Sequence, residues 1–215
     1  MRVDRSFAFL DLCGFTSYTA NEGDARATRV LADFRAVVRE IGSRRGVRVA
    51  KWLGDGAMLV GVEAEPLVSA VLEIEHRIDD VDSPLPIRGG LVRGPVILFE
   101  GDDYIGTPVN LAARLCDAAG PRQVLAAPSF CDVCPPWIGA GEPYAVALPG
   151  FRDPVEVVRL LRRPAGPDPV TDPVCGLVLA AALAVQRADD EGAPLWFCSE
   201  SCAGSWSGAE AVEGG

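Results

Sequence analysis

Apolar residues recur along this chain with two periods, and their alternation predicts an order of elements. Ser6-Phe7-Ala8-Phe9-Leu10-Asp11-Leu12 is a short apolar run holding a carboxylate at its end, which reads as a buried strand. From about Asp24 to Ser43, Val30, Leu31, Phe34, Val37, Val38 and Ile41 fall on one face of a helix. Val47 to Leu53 and Ala57 to Val62 flank Gly54-Asp55-Gly56, the pattern of a β-hairpin. A helix around residues 66–79, a strand over 87–92, a second near 96–99 and a helix over 109–119 follow. Strands near Val124, over 144–148 and over 155–161 complete the series. Strands alternating with helices predict an α/β (α+β) fold, with helices packed on one mixed sheet.

Composition narrows the function classes. With 215 residues, 49% of them hydrophobic, the chain has the size of one domain and a remainder, and it can bury a core. The net charge of −10 disfavours a nucleic-acid partner, which calls for a basic face. No apolar run approaches the roughly 18–20 residues that cross a bilayer, and Met1-Arg2-Val3-Asp4-Arg5 leads into no signal-peptide core. A cytoplasmic protein without a membrane partner is expected. The single histidine, His76, lies on a charged helix face, so histidine triads and histidine-rich zinc sites are disfavoured. Lys51 is the only lysine among 20 basic residues, which marks a position where arginine does not substitute.

Charge also changes along the chain. Residues 1–163 carry 19 basic and 22 acidic groups, net −3, whereas 164–215 carry 1 and 8, net −7. The change falls at Pro164-Ala165-Gly166-Pro167-Asp168-Pro169, which reads as a linker over residues 164–171. A main domain over 1–163, a small cysteine-bearing module over 172–207 and a disordered tail over 208–215 are expected.

Two constellations in the main domain carry chemistry. Asp11 ends a core strand and Asp55 sits at a hairpin tip between glycines. Carboxylates on adjacent strand ends can hold a pair of Mg²⁺ ions for phosphoryl chemistry, although Asp55 equally suits an ordinary turn. The loop that follows, Leu12 to Thr16, opens a helical region whose free N–H groups suit a polyphosphate. Asn110 and Arg114, four apart, share a helix face and could orient a sugar and neutralise a phosphate; a solvated face is the plain alternative.

Taken together and in order, four segments resemble the catalytic domain of class III adenylyl/guanylyl cyclases. They are Phe9-Leu10-Asp11-Leu12-Cys13-Gly14-Phe15-Thr16, Lys51-Trp52-Leu53-Gly54-Asp55-Gly56, Gly90-Leu91-Val92-Arg93-Gly94, and Asp103 through Arg114. The resemblance covers about residues 5–162 and implies a class III cyclase fold with a ferredoxin-like βαββαβ core. It implies that Asp11, Asp55 and the backbone of Leu12 hold two Mg²⁺ or Mn²⁺ ions. Lys51 and Asp103 would read adenine, with Cys13, Gly14, Phe15 and Thr16 also binding substrate. Asn110 and Arg114 would be the catalytic pair. The implied reaction is that of an adenylate cyclase, ATP to cyclic AMP and pyrophosphate, run by a head-to-tail homodimer with shared sites. A guanylyl cyclase is disfavoured by Lys51 with Asp103, and a catalytically silent nucleotide-binding or metal-sensing scaffold is the rival from another class. Two departures stand out. The hairpin between Gly94 and Asp103 is short for the family, and a late strand at 148–153 offers Arg152 where a triphosphate-contacting lysine is common.

Seven cysteines in a chain of this kind point to thiols or metal rather than disulfides. Cys13 and Cys116 read as small buried side chains, and Cys131-Asp132-Val133-Cys134 is a lone pair with metal-type spacing. In the tail, Asp172-Pro173-Val174-Cys175-Gly176 and Trp196-Phe197-Cys198-Ser199-Glu200-Ser201-Cys202 resemble a small YHS/TRASH-type module. Cys175, Cys198 and Cys202 would offer three thiolates to Zn²⁺ or Cu⁺, with no histidine as a fourth ligand, and free thiols are the alternative. So small a module has too little core to fold well without such a staple.

Overall fold

The axis of the first unit is β1 (Arg2–Leu12), which pairs on both edges. It runs beyond the apolar stretch because Arg2 to Arg5 keep pairing with mostly exposed side chains. In this computed structural model, residues 1–80, 83–100, 103–162, 169–181, 184–189 and 192–206 are described. After β1 come α1 (Phe15–Glu22), α2 (Asp24–Arg44), and the hairpin of β2 (Arg48–Leu53) and β3 (Gly56–Gly61). Then follow α3 (Ala64–Asp80), β4 (Ile87–Phe99), β5 (Asp103–Ile105), α4 (Thr107–Ala118) and β6 (Gln123–Ala126). A 3-10 turn over Pro128–Val133, β7 (Ile138–Ala140), β8 (Tyr144–Val146) and β9 (Val155–Arg162) close the unit.

The sheet runs β2-β3-β1-β4-β6-β9-β7, with β5 paired to β4 and β8 to β9. Only β4 with β6 is parallel among these pairs. Its first four strands, ordered β4-β1-β3-β2 and linked through α2 and α3, are the expected ferredoxin-like βαββαβ core. The expected strands at 87–92 and 96–99 are one strand, because β1 pairs with β4 straight through Gly94-Pro95. The expected late strand at 148–153 is instead a turn region between β8 and β9, with Arg152 exposed.

Alternation along the strands gives the sheet two faces. Phe7, Met58, Val60 and Val92 pack with Ala112 and Leu115 of α4, while on the other side Gly61 abuts Leu67 of α3. Glu73 of α3, 5% exposed, is held by Arg44 and Arg45 at 2.6 Å each, so this buried charge is fully paired. Helix α4 lies unusually close to β4. A Cβ on Gly90 would stand 2.3 Å from the Ala112 carbonyl oxygen and 2.4 Å from the Cys116 nitrogen. Only glycine lets a helix backbone rest on the strand this way.

Contacts divide the chain into Met1–Arg162 and Arg163–Gly215. In the second unit, β10 (Pro169–Thr171) pairs with β11 (Val178–Ala180), and β12 (Val185–Ala188) with β13 (Pro194–Phe197), followed by α5 (Glu200–Ser205). Residues 169–171, expected as the end of the linker, are therefore strand. Positions 164–168 of that linker and the expected tail 208–215 lie outside the described residues. Phe197 is fully buried and meets Trp206 at 6.2 Å between ring centres. No helix among the described residues is long and apolar enough to cross a membrane.

Candidate active site

Asp11 follows Phe7 and Phe9 at two-residue steps, so its carboxylate lies on the α4 face of the sheet. Lys51 is cross-strand partner to Met58, another residue of that face. Asn110 and Arg114 come from α4 itself. The polar positions singled out in the first unit thus collect on one face and its rim.

The hairpin tip carrying Asp55 is anchored from behind. The guanidinium carbons of Arg35 and Arg39 each lie over the Trp52 ring, 5.1 Å from its centre, and Phe34 meets the ring edge-on. Arg35 also donates to the Gly54 carbonyl at 3.0 Å. Asp11 pairs in register with Gly56, one residue beyond Asp55. A Cβ on Gly56 would reach 2.7 Å from the Leu10 carbonyl oxygen and 3.3 Å from Asp11 Oδ1, so glycine is what lets tip and strand meet. Burial pushes the Asp55 carboxyl up from its ordinary value, and the Asp11 charge adds to this while Arg88 opposes it. A carboxyl whose ionisation is opposed by a neighbouring carboxylate suits a divalent cation between the two.

Asp11 already has one cationic neighbour. Arg88 donates from Nε at 2.9 Å and from Nη2 at 2.7 Å to Asp11 Oδ2, and from Nη1 at 3.0 Å to the Asp117 carbonyl. Asp117 in turn holds Arg114 at 3.0 Å. A cleft of about 240 Å³ beside Asp11 is lined by Phe9, Leu53, Gly56, Ala113, Cys116 and Asp117.

Lys51 and Asp103 form an ion pair, each about half exposed. Tyr104 makes this possible: it packs edge-on against Phe7 of β1 at 5.3 Å and accepts from Arg48 of β2, so β5 reaches across the face toward β2. Cys13 donates its N–H to the Pro86 carbonyl at 2.8 Å, Gly14 caps α1, and Phe15 and Thr16 form its first turn. Leu12 is buried in register with Ile87, which leaves only its backbone for the site.

No family model matches the chain. An uncharacterized protein of Mycobacterium tuberculosis is 36% identical over 166 residues, covering 77% of this chain and 43% of that protein. An adenylate cyclase of Streptomyces coelicolor is 32% identical over 133 residues, 60% of this chain and 34% of the relative. The chain spans less than half the length of these curated relatives. Among solved structures, the adenylyl cyclase CyaB of Pseudomonas aeruginosa superposes with a TM-score of 0.67 at 24% identity, covering 77% of this chain and 97% of that one. The guanylate cyclase domain of RhGC from Catenaria anguillulae, in complex with GTP, gives 0.66 at 19%, covering 76% and 99%. The first unit has the class III nucleotide cyclase fold.

Within that fold Asp11 lies within electrostatic reach of Asp55, Lys51 is ion-paired with Asp103, and Asn110 and Arg114 stand four residues apart on α4. Two residues of this face were not anticipated from sequence. Arg88 carried no signal beyond its place beside Gly89-Gly90, and Asp117 only its spacing of three from Arg114.

In the second unit, Cys198 Sγ lies 3.6 Å from Cys175 Sγ and 3.5 Å from Cys202 Sγ. Asp172 joins them, with all four ligand atoms within 4.8 Å of one another. Its carboxylate is fully buried and accepts from the N–H groups of Val174 at 2.8 Å, Cys175 at 3.2 Å and Cys198 at 2.7 Å. Burial would raise its pKa, but these hydrogen bonds win and hold it well below the usual carboxylate range. Burial pushes the Cys198 thiol up to about 12, with Asp172 adding to the shift. Asp172 thus stands beside the three cysteines as a fourth group of the cluster. The turn signal of Asp172-Pro173 was the only hint of it.

Proposed function

We propose that the first unit is an adenylate cyclase that converts ATP to 3′,5′-cyclic AMP and pyrophosphate. The fold supports nucleotide cyclisation, and the observation that carries the choice of adenine is the Lys51–Asp103 pair on one face with the Asp11–Asp55 carboxylates. Lys51 offers a donor to adenine N1 and Asp103 an acceptor to the 6-amino group. Both pairs that face solvent, Lys51–Asp103 and Arg114–Asp117, are about half exposed, and such ion pairs are worth roughly 0–1 kcal/mol. Base and phosphate can therefore replace these partners at small cost.

The donor set of Asp11, Asp55 and the Leu12 carbonyl fits a hard divalent cation, and Gly56 keeps the cradle free of side chain. Two Mg²⁺ or Mn²⁺ ions held there would activate the ribose 3′-hydroxyl and neutralise the departing pyrophosphate. Arg114 places positive charge against the α-phosphate, and Asn110 fixes the ribose for in-line attack. The first turn of α1, from Phe15, offers backbone N–H groups to the phosphates. Because Lys51 and Asp55 sit at opposite ends of one short strand and turn, the reading includes a head-to-tail homodimer. One chain supplies Asp11 and Asp55, its partner the base, ribose and arginine contacts.

The second unit is read as a metal- or thiol-responsive module of the YHS/TRASH type. Cys175, Cys198 and Cys202 would bind Zn²⁺ or Cu⁺, supported by sulfur spacings that already match a shared ion. Incubating the purified protein with ATP or GTP and Mn²⁺ or Mg²⁺, then separating products by chromatography, tests the main reading. Cyclic AMP is expected. Nucleotide binding without cyclic product would favour a silent scaffold, and cyclic GMP as the main product would reverse the assignment of the base.

A further inference from the structure

Asp11 sits in register between two strands with opposite offerings: Gly56 beside Asp55 on one side, Arg88 on the other. Its two oxygens are used unequally. Oδ2 accepts from both Nε and Nη2 of Arg88, at 2.9 and 2.7 Å, whereas Oδ1 faces Gly56 of the hairpin. Arg88 is also tied by Nη1 to the Asp117 carbonyl in the last turn of α4, so the guanidinium makes three hydrogen bonds to two partners. At 29% and 25% side-chain exposure, Arg88 and Asp11 are better shielded than the half-exposed Lys51–Asp103 pair. Their interaction is correspondingly harder to displace.

We propose that Arg88 couples divalent-cation binding to nucleotide binding by offsetting the charge of Asp11 in the nucleotide-free protein. This rests on the cyclase reading above. Asp11, Asp55 and Arg88 together carry a formal charge of −1, so a divalent cation arriving alone meets weak attraction and one free oxygen of Asp11. Mg²⁺ is ordinarily held by one or two carboxylates together with substrate phosphates. The triphosphate supplies the negative charge that Arg88 cancels, and cation and nucleotide enter together. A purely structural role for Arg88, as a strut between β4 and α4, has the opposite signature. Its loss would loosen the carboxylate and weaken cation binding.

The sign of the change in Mn²⁺ affinity separates the two. Free Mn²⁺ is measured by electron paramagnetic resonance during titration of the full chain without nucleotide. Arg88→Met is expected to bind Mn²⁺ about tenfold tighter than wild type or more, while turnover falls. Arg88→Lys, which keeps the charge, should stay within about threefold of wild type. With a non-hydrolysable ATP analogue present, wild type and Arg88→Met should converge. Unchanged or weaker Mn²⁺ binding in folded Arg88→Met, or in Arg88→Gln should the first not fold, overturns the proposal. So does wild-type protein that binds Mn²⁺ as tightly without nucleotide as with it. Asp11→Asn, run as a control, should abolish the titrated site. Failure of the cyclase reading is distinguishable, since it shows as absence of cyclic nucleotide. Cyclic product with no tightening in Arg88→Met removes the coupling alone.

Discussion

Lys51 of β2 and Asp103 of β5 are joined in an ion pair across the sheet face, although their strands are not neighbours in the sheet. Next to Asp103, the Tyr104 side chain is seated on Phe7 of β1 and accepts from Arg48 of β2, which ties the start of β5 to the β2 side of the face. On the adenylate cyclase reading proposed above, this seating presents both base contacts from one chain. Lys51→Glu combined with Asp103→Cys should lower the ATP-to-GTP ratio of kcat/KM by roughly a hundredfold, as when buried polar contacts are left unmatched. Stability should change little, by about 1 kcal/mol or less, since the pair is half exposed. An unchanged ratio would show that another pair reads the base.

Much of this face was legible from residue order. The strand ending at Asp11, the hairpin tip at Asp55 and the helix bearing Asn110 and Arg114 each follow from local periodicity or turn chemistry, which depend only on nearby residues. Arg88 was not legible, because its role arises from the register of β4 against β1, a long-range pairing that no local pattern encodes. The turn at 148–153 was misread for a related reason. Leu148 and Phe151 are apolar, yet their hydrophobicity serves to pin a loop against the core. In the second unit the cysteines declared themselves by spacing, whereas Asp172 acts through backbone N–H groups that a sequence does not display.

Gly90 sets how closely α4 approaches the sheet. In Gly90→Ala the new methyl would lie 2.3 Å from one backbone atom of α4 and 2.4 Å from another, so the helix must move. Overpacking of this kind costs about 1–3 kcal/mol, visible as a lower midpoint in urea. Because Asn110 and Arg114 ride on α4, kcat should fall by roughly tenfold or more even under conditions where the variant remains folded. A stable variant with full turnover would show that α4 does not set their position.

Glu75 on α3 offers a pH test outside the site. Burial raises its pKa above the ordinary 4.5 and the charge of Asp79 adds to this, against smaller opposing effects of Arg122, Arg159 and Arg162. A carboxyl raised on folding favours the protonated form, so its ionisation destabilises the fold at pH values above the raised pKa and not below 4.5. Glu75→Gln should therefore raise the melting temperature of the first unit at pH 7 by on the order of 1–2 °C. The gain should vanish near pH 4. A gain that is equal at both pH values would place its origin elsewhere.

Asp172 should act as the clasp of the second unit. Asp172→Ala leaves the N–H groups of Val174, Cys175 and Cys198 without their acceptor, at a cost of roughly 2–3 kcal/mol. Cys175, Cys198 and Cys202 should then react faster with a thiol reagent in metal-free protein. Since the folded-state pKa is depressed, the contribution is fully present above about pH 4, declines as pH falls from the ordinary 3.8, and is lost only as pH passes the lower folded-state value. Unaltered thiol reactivity would mean that the loops hold without the carboxylate.

Complementation tests the shared site most directly. If each site takes Asp11 and Asp55 from one chain and Lys51, Asp103, Asn110 and Arg114 from its partner, two inactive variants should rescue each other. Mixing Asp11→Ala with Arg114→Ala gives heterodimers in which one site collects both lesions and the other carries none. About half of randomly mixed dimers are heterodimers, each with one good site of two, so activity should recover to roughly a quarter of wild type. Each variant alone should stay inactive, because loss of the arginine charge at the transition state costs several kcal/mol. Arg114 is about half exposed and bonded only to Asp117 among the contacts described for its side chain, so its removal should leave the fold intact. A monomer holding all six residues around one pocket forbids rescue. No recovery despite demonstrated subunit exchange would remove the head-to-tail arrangement, whereas recovery near a quarter requires that the sites be built from two chains.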